Sequence, residues 1–128
     1  MKTNSRGAHL ASSAVIVASA AILYGINPGV VLPYLLDFSV DSVNLANVFR
    51  AIMGLYLAFS AYWVAALWKP TLWRSATLSN VLFMGGLAFG RTLSLLFDGF
   101  SMPFFIGMVL ELLFMLWGVL NLRKTHQA

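Results

Sequence analysis

The sequence predicts an all-α integral membrane protein: an antiparallel four-helix bundle with a short interfacial or re-entrant segment between helices one and two. Three observations carry that prediction. Of the 128 residues, 60% are hydrophobic and 9% charged, whereas soluble domains carry roughly 25% charged residues. Four apolar runs, at about Leu10–Ile26, Val43–Trp68, Leu72–Phe97 and Pro103–Leu122, each come near the ~20 residues a helical span needs. The charges, finally, separate by sign into alternate turns. A mean hydropathy of +0.84 agrees, and the same composition excludes intrinsic disorder. Residues 1–128 are read as a single four-helix transmembrane domain, with no soluble domain, long-period repeat or low-complexity tract.

Spanning segments must satisfy their own backbone polar groups, so each run is expected to be a helix. The first also has the look of a signal peptide, with Lys2 and Arg6, an apolar core, and Ala18-Ser19-Ala20 as a cleavage-like site; it is read as an uncut first helix. Pro28, Gly29 and Pro33 then break the chain. A first helix continued to Leu36 would reach ~40 Å at ~1.5 Å per residue, too long for a ~30 Å hydrocarbon core. Val30–Phe38 is too apolar for an open loop, which leaves an interfacial or re-entrant segment, with Ser39, Asp41 or Ser42 capping the next helix. Lys69-Pro70-Thr71 is short enough to force an antiparallel hairpin. Asp98-Gly99-Phe100-Ser101 is a turn by composition and leads to Pro103 at a helix start.

On this arrangement Lys2, Arg6, Lys69, Arg74, Arg123 and Lys124 fall on one side, and Asp37, Asp41 and Asp98 on the other. The positive-inside rule places both termini and the middle turn in the cytoplasm, with Trp68 and Trp73 in the inner aromatic belt. The formal charge of +4 is therefore read as topology, and no nucleic-acid partner is expected. Cysteine is absent, which removes disulfides, thiol catalysis and thiolate metal sites. His9 and His126 are read as terminal and cytoplasmic. No His/carboxylate spacing matches a metal site, and neither a metal nor another cofactor is expected.

Three charges remain inside spans, where a lone charge costs at least ~2.5–3.5 kcal/mol on insertion scales. At ~1.5 Å per residue, Arg50 lies roughly 10 Å from the outer end of its helix, Arg91 roughly 9 Å and Glu111 roughly 14 Å. Side chains lean toward the helix N-terminus, so Arg91 leans inward and Glu111 outward, and the two converge. Arg50 leans outward, toward Asp41, Asp37 or Asp98. Small or polar residues share faces with these charges: Asn47, Arg50, Gly54, Ala58 and Ala61; Gly86, Gly90 and Ser94; Gly107, Glu111, Phe114, Gly118 and Asn121. Tyr24, Tyr34 and Tyr56 are candidates to line an outer cavity. The candidate cluster is thus Arg50, Arg91, Glu111, Asp98, Asp41, Ser94, Asn47 and Tyr56, either ligand-binding or structural, with no catalytic residue among them.

Phe49-Arg50-Ala51-Ile52-Met53-Gly54-Leu55-Tyr56, Gly90-Arg91-Thr92-Leu93-Ser94, Phe97-Asp98-Gly99, Tyr24-Gly25 and the Glu111 helix together resemble the bacterial family described as domain of unknown function 4345. That family consists of four-span membrane proteins of about this length, so the resemblance covers nearly the whole chain. It implies an architecture and a residue set rather than a reaction. The chain is also distantly similar to DoxX-like four-helix proteins, some of which accompany quinone-linked membrane enzymes; that similarity implies a quinone or respiratory-complex role as one alternative.

Three readings of the cluster follow. As structural glue, Arg91–Glu111 and an Arg50–Asp pair hold the helices in register. As a binding site, two guanidiniums at one depth receive a carboxylate, a phosphate headgroup or a quinone carbonyl. As an ion path, Glu111 titrates, with only Asn80, Ser79, Ser60 and Asn121 continuing inward. The function expected is a non-enzymatic accessory or assembly subunit of the inner membrane, partnered by the bilayer and by a larger membrane complex or a second copy. The alternative is a binder of a lipid headgroup or quinone. An enzyme ranks last, because no nucleophile–base pair or cofactor motif is visible. Cysteines introduced at Ser39 and Thr71 test the orientation. An impermeant thiol reagent on intact cells should label Ser39→Cys and spare Thr71→Cys, and the reverse pattern would invert the topology.

Overall fold

Among the residues that the computed structural model describes, 2–126 (side chains 5–124), every regular element is helical. The order is α1 (Lys2–Gly25), α2 (Pro28–Leu36), α3 (Val43–Trp68), α4 (Trp73–Phe97) and α5 (Met102–His126). α1, α3, α4 and α5 are long and apolar enough to cross a membrane. α2 is the short non-spanning helix between the first two spans. The chain is a multi-pass, all-α membrane protein.

Each terminus has a local cause. α1 starts at Lys2 rather than at the apolar run beginning with Leu10, since nothing before Leu10 breaks a helix and its polar side chains find partners on α5. Pro28 opens α2 at its first position, where the missing N–H costs nothing. Asp37 closes α2 in the left-handed region, φ 55°, which Asp tolerates better than most residues. Of the three cap candidates, Ser42 caps α3, its hydroxyl accepting from Leu45 N–H at 3.1 Å. Ser39 and Asp41 bond to each other instead. A 3-10 turn over Pro70–Leu72 joins α3 to α4. After α4, the N–H groups of Asp98 and Gly99 both return to the Ser94 carbonyl, at 2.8 and 3.2 Å. Gly99 sits at φ 115°, which a Cβ would disfavour.

The four spans pack as two pairs, α1 on α3 and α4 on α5, with thinner contact between the pairs. Leu10, Ala14, Val17 and Ala21 make the buried stripe of α1, and Tyr56, Trp63 and Ala66 that of α3. Phe83 of α4 joins the pairs, its ring 4.9 Å from Tyr56, 5.2 Å from Phe59 and 5.3 Å from Trp63, centroid to centroid. Large aliphatic and aromatic side chains such as Leu82, Phe89, Leu96 and Leu113 point outward, as a lipid-facing surface requires. The acidic loops gather at one end of the bundle and the basic segments at the other. The side chains of Lys2 and His126 lie outside the described residues.

α1 and α3 approach closely at Gly25, where an added Cβ would overlap the Met53 Cβ. That atom is fixed to the backbone and cannot swing aside. Gly25→Ala should therefore destabilise the bundle by ~1–3 kcal/mol, the usual cost of overpacking, read as a lowered midpoint of thermal unfolding in detergent.

Candidate functional site

Arg91 lies two turns before the end of α4, and Glu111 between two and three turns after the start of α5. The tight turn at 98–101 therefore brings them to one level on facing helices. Arg91 Nε donates to both carboxylate oxygens of Glu111, at 2.9 Å each. The bifurcated bond engages Nε alone. The pair is a salt bridge whose side chains are 20% and 11% exposed. The Phe104 ring centroid lies 5.2 Å from Arg91 Cζ, a cation–π contact. The Tyr24 side chain faces the guanidinium. Gly107 gives the group a flat seat, since a Cβ there would only reach contact distance, 3.6 Å from Cζ and Nε.

Two cavities meet at Arg91. One, of about 240 Å³, opens toward the acidic end and is lined by Gly90, Arg91, Ser94, Ser101, Phe104 and Met108 among others. The second, of about 170 Å³, lies between the helix pairs. Arg91, Glu111, Tyr24 and Tyr56 line it together with apolar residues of α1, α4 and α5, including Val17, Ala20, Met84, Leu87 and Phe114. Tyr56 is buried, its ring edge-on to Tyr24 at 6.2 Å. Of the residues singled out in the sequence, Arg91, Glu111 and Tyr56 thus come together around one cavity, and Ser94 lines the other with Arg91.

The other four do not. Arg50 and Asn47 face outward on α3, and both are exposed. Among the described residues no ion pair forms between Arg50 and Asp37, Asp41 or Asp98, and Arg50 lines neither of the two cavities beside Arg91. The reason is angular. The inward stripe of α3 is Tyr56, Ser60, Trp63 and Ala66, and six residues at about 100° each put Arg50 roughly 120° away from Tyr56. Asp41 is held by Ser39 in the loop. Asp98 is exposed at the end of α4 and lines neither cavity.

Sequence reasoning missed a second polar group, toward the basic end. His9, read from the sequence as a terminal cytoplasmic residue, is fully buried. Its Nε2 lies 3.1 Å from the Phe114 carbonyl oxygen, and its ring is edge-on to Trp117 at 5.3 Å. Trp117 Nε1 donates to Ser5 Oγ at 3.1 Å, and Ser5 donates to Asn121 Oδ1 at 3.3 Å. Gly118 makes the room, since a Cβ there would come 3.1 Å from His9 Cε1 and 2.6 Å from Val81 Cγ2. The spacing Ser5, His9, Ser13 lies on one helix face and held the clue, but it is visible only if the helix starts before the apolar run. Nearby, Trp63 Nε1 donates to Ser79 Oγ at 3.0 Å. Asn80 and Thr77 are fully buried, and their side chains make no hydrogen bond of good geometry among the described residues. No group of three His, Asp or Glu among the described residues is placed to hold a metal.

Fold and site together define a four-span membrane bundle with an arginine–glutamate pair buried between helices, beside an apolar cavity. The family model described as "Domain of unknown function (DUF4345)" matches residues 7–122, and the chain belongs to that family. Neither the curated proteins nor the solved structures contain a match to the chain.

A double-mutant cycle measures how far the pair acts as a structural tie. Arg91→Met and Glu111→Leu, made singly, should each destabilise the protein by ~3–5 kcal/mol, because each strands a charge in low dielectric. Together they should recover more than half of the larger loss, as read by thermal unfolding in detergent.

Proposed function

We propose that this protein is a non-enzymatic accessory or assembly subunit of a bacterial inner membrane, built as one four-helix transmembrane domain with both termini cytoplasmic. One observation carries the reading: the outward face of α3. Asn47, Arg50, Gly54, Ala58 and Ala61 fall on that face, and all are exposed. An ideal Cβ on Gly54 would meet nothing within 4 Å. Small residues admit close backbone approach between spans, and a cation roughly 10 Å below the helix end needs a counter-charge there. A second copy is a poor occupant. Two-fold pairing on this face would set Arg50 against Arg50 at one depth. The fitting partner is a different span with a small-residue face and a carboxylate in the corresponding third of the membrane.

A second reading, a binder of a lipid headgroup or quinone, is favoured by the cavity beside Arg91 and Glu111. The two readings occupy different faces, and one protein can serve both.

Purification in mild detergent with quantitative mass spectrometry tests the accessory reading. A stoichiometric membrane partner should accompany the wild type. It should fall about tenfold or more with Arg50→Ala or Gly54→Leu, because loss of a desolvated charge pair or of close packing removes at least ~1.4 kcal/mol of binding. Co-purification unchanged by both variants would reject this face as the partner surface.

A further inference from the structure

α1 and α5 are tied at the basic end and parted above it. The ties are Ser5 to Asn121, Trp117 to Ser5, and His9 to the Phe114 carbonyl. Beyond them Ile16 of α1 and Leu110 of α5 line the 170 Å³ cavity, yet each is 47% exposed. A residue that both lines a cavity and faces outward marks its rim. The cavity therefore opens sideways, through a slot between α1 and α5 that faces the bilayer, and a ligand able to reach it is one already dissolved in lipid.

The lining gives the ligand's polarity. Apolar side chains, among them Val17, Ala20, Leu87 and Phe114, make most of its wall, and Arg91, Glu111, Tyr24 and Tyr56 bring polar groups to it. An amphiphile matches that division. Its volume exceeds the ~150 Å³ of an aliphatic cavity that takes up a benzene ring, enough for one ring or a short stretch of chain.

The pair fixes the charge of the head. Arg91 is already neutralised by Glu111 through two 2.9 Å contacts. An anionic head would put a second carboxylate or phosphate beside Glu111 in a low-dielectric site, and a cationic head would meet Arg91. Like charges brought together there are strongly disfavoured. What the site still offers is donors: a guanidinium has five N–H groups and the contacts to Glu111 use one, and the hydroxyls of Tyr24, itself hydrogen-bonded to Arg91, and of Tyr56 line the same cavity. A neutral acceptor satisfies them without disturbing the ion pair.

We propose that the cavity between the helix pairs binds a neutral membrane amphiphile, admitted from the bilayer between α1 and α5, whose head presents an ester or ketone carbonyl to Arg91. This rests on the ligand reading of the site and deepens it by naming the class.

The test uses the purified full chain in detergent, titrated with 1-monooleoylglycerol or with oleate and followed by native mass spectrometry. Monooleoylglycerol should bind saturably, one per chain, and oleate should bind more weakly. Ala20→Leu fills the cavity and leaves the pair intact. It should weaken monooleoylglycerol binding about tenfold, because it removes the space of two or more methylenes. Leu110→Trp, on the half-exposed rim, should do likewise by closing the slot, and serves if Ala20→Leu fails to fold. Leu82→Ala, on the lipid-facing surface of α4 and outside both cavities, should leave binding unchanged. Stronger binding of oleate would overturn the neutral class while leaving a ligand site. Absence of saturable binding by either would overturn the site and the ligand reading together, and binding that survives both cavity variants would place it elsewhere on the protein.

Discussion

A guanidinium inside a membrane has to be answered by a carboxylate, and the one that answers Arg91 is on the next helix. That requirement fixes the register of the α4–α5 hairpin. The turn at 98–101 must be short, with Gly99 at a positive φ and two N–H groups folded onto the Ser94 carbonyl, or Arg91 and Glu111 would miss each other by a helical turn. Gly107 keeps the surface under the guanidinium flat. Phe104 covers it. The pair in turn holds polar atoms where apolar packing would otherwise close, and both cavities border on Arg91.

The two intramembrane arginines have opposite fates, and the angle around a helix decides which. Arg91 projects toward α5 and is paired. Arg50, on the outward side of α3, keeps company with Gly54, Ala58 and Ala61. A paired arginine can be understood within one chain. An outward one makes sense against something outside the chain, and the open space at Gly54 says that whatever lies there is admitted close to the backbone. Depth alone could not separate them, because both sit a similar distance from the acidic end.

Much of the fold was legible because the membrane simplifies it. Length and apolarity mark spans, and Pro28 with Pro33 marks the non-spanning helix between the first two. Convergence of Arg91 and Glu111 was also legible, from the tilt of side chains on two oppositely directed helices. Failure came where azimuth matters. A stripe of small residues on α3 looks the same in sequence whether it faces a neighbour or lipid, and the inward stripe was instead Tyr56, Ser60, Trp63 and Ala66. His9 was lost for a different reason. Polar residues before Leu10 read as a solvated flank, whereas the helix runs on through them and α5 supplies Trp117, Asn121 and a carbonyl to receive them.

Those polar residues give the bundle its asymmetry. Toward the basic end, hydrogen bonds from Ser5 and His9, the Trp63–Ser79 bond and the stacking of Arg6 on Trp73, 4.7 Å from the ring centroid, tie α1 to α4 and α5 and α3 to α4. In an apolar solvent such bonds are costly to leave unmade, so this end is the firmer one. Toward the acidic end, α1 meets α5 through no comparable bond among the described residues, and the cavity separates them. A bundle fastened at one end and apolar at the other parts where it is least fastened. The slot between Ile16 and Leu110 is therefore a consequence of where the polar side chains lie along α1: Ser5 and His9 in its first half engage α5, and beyond Val17 the residues turned toward α5 are apolar until Tyr24.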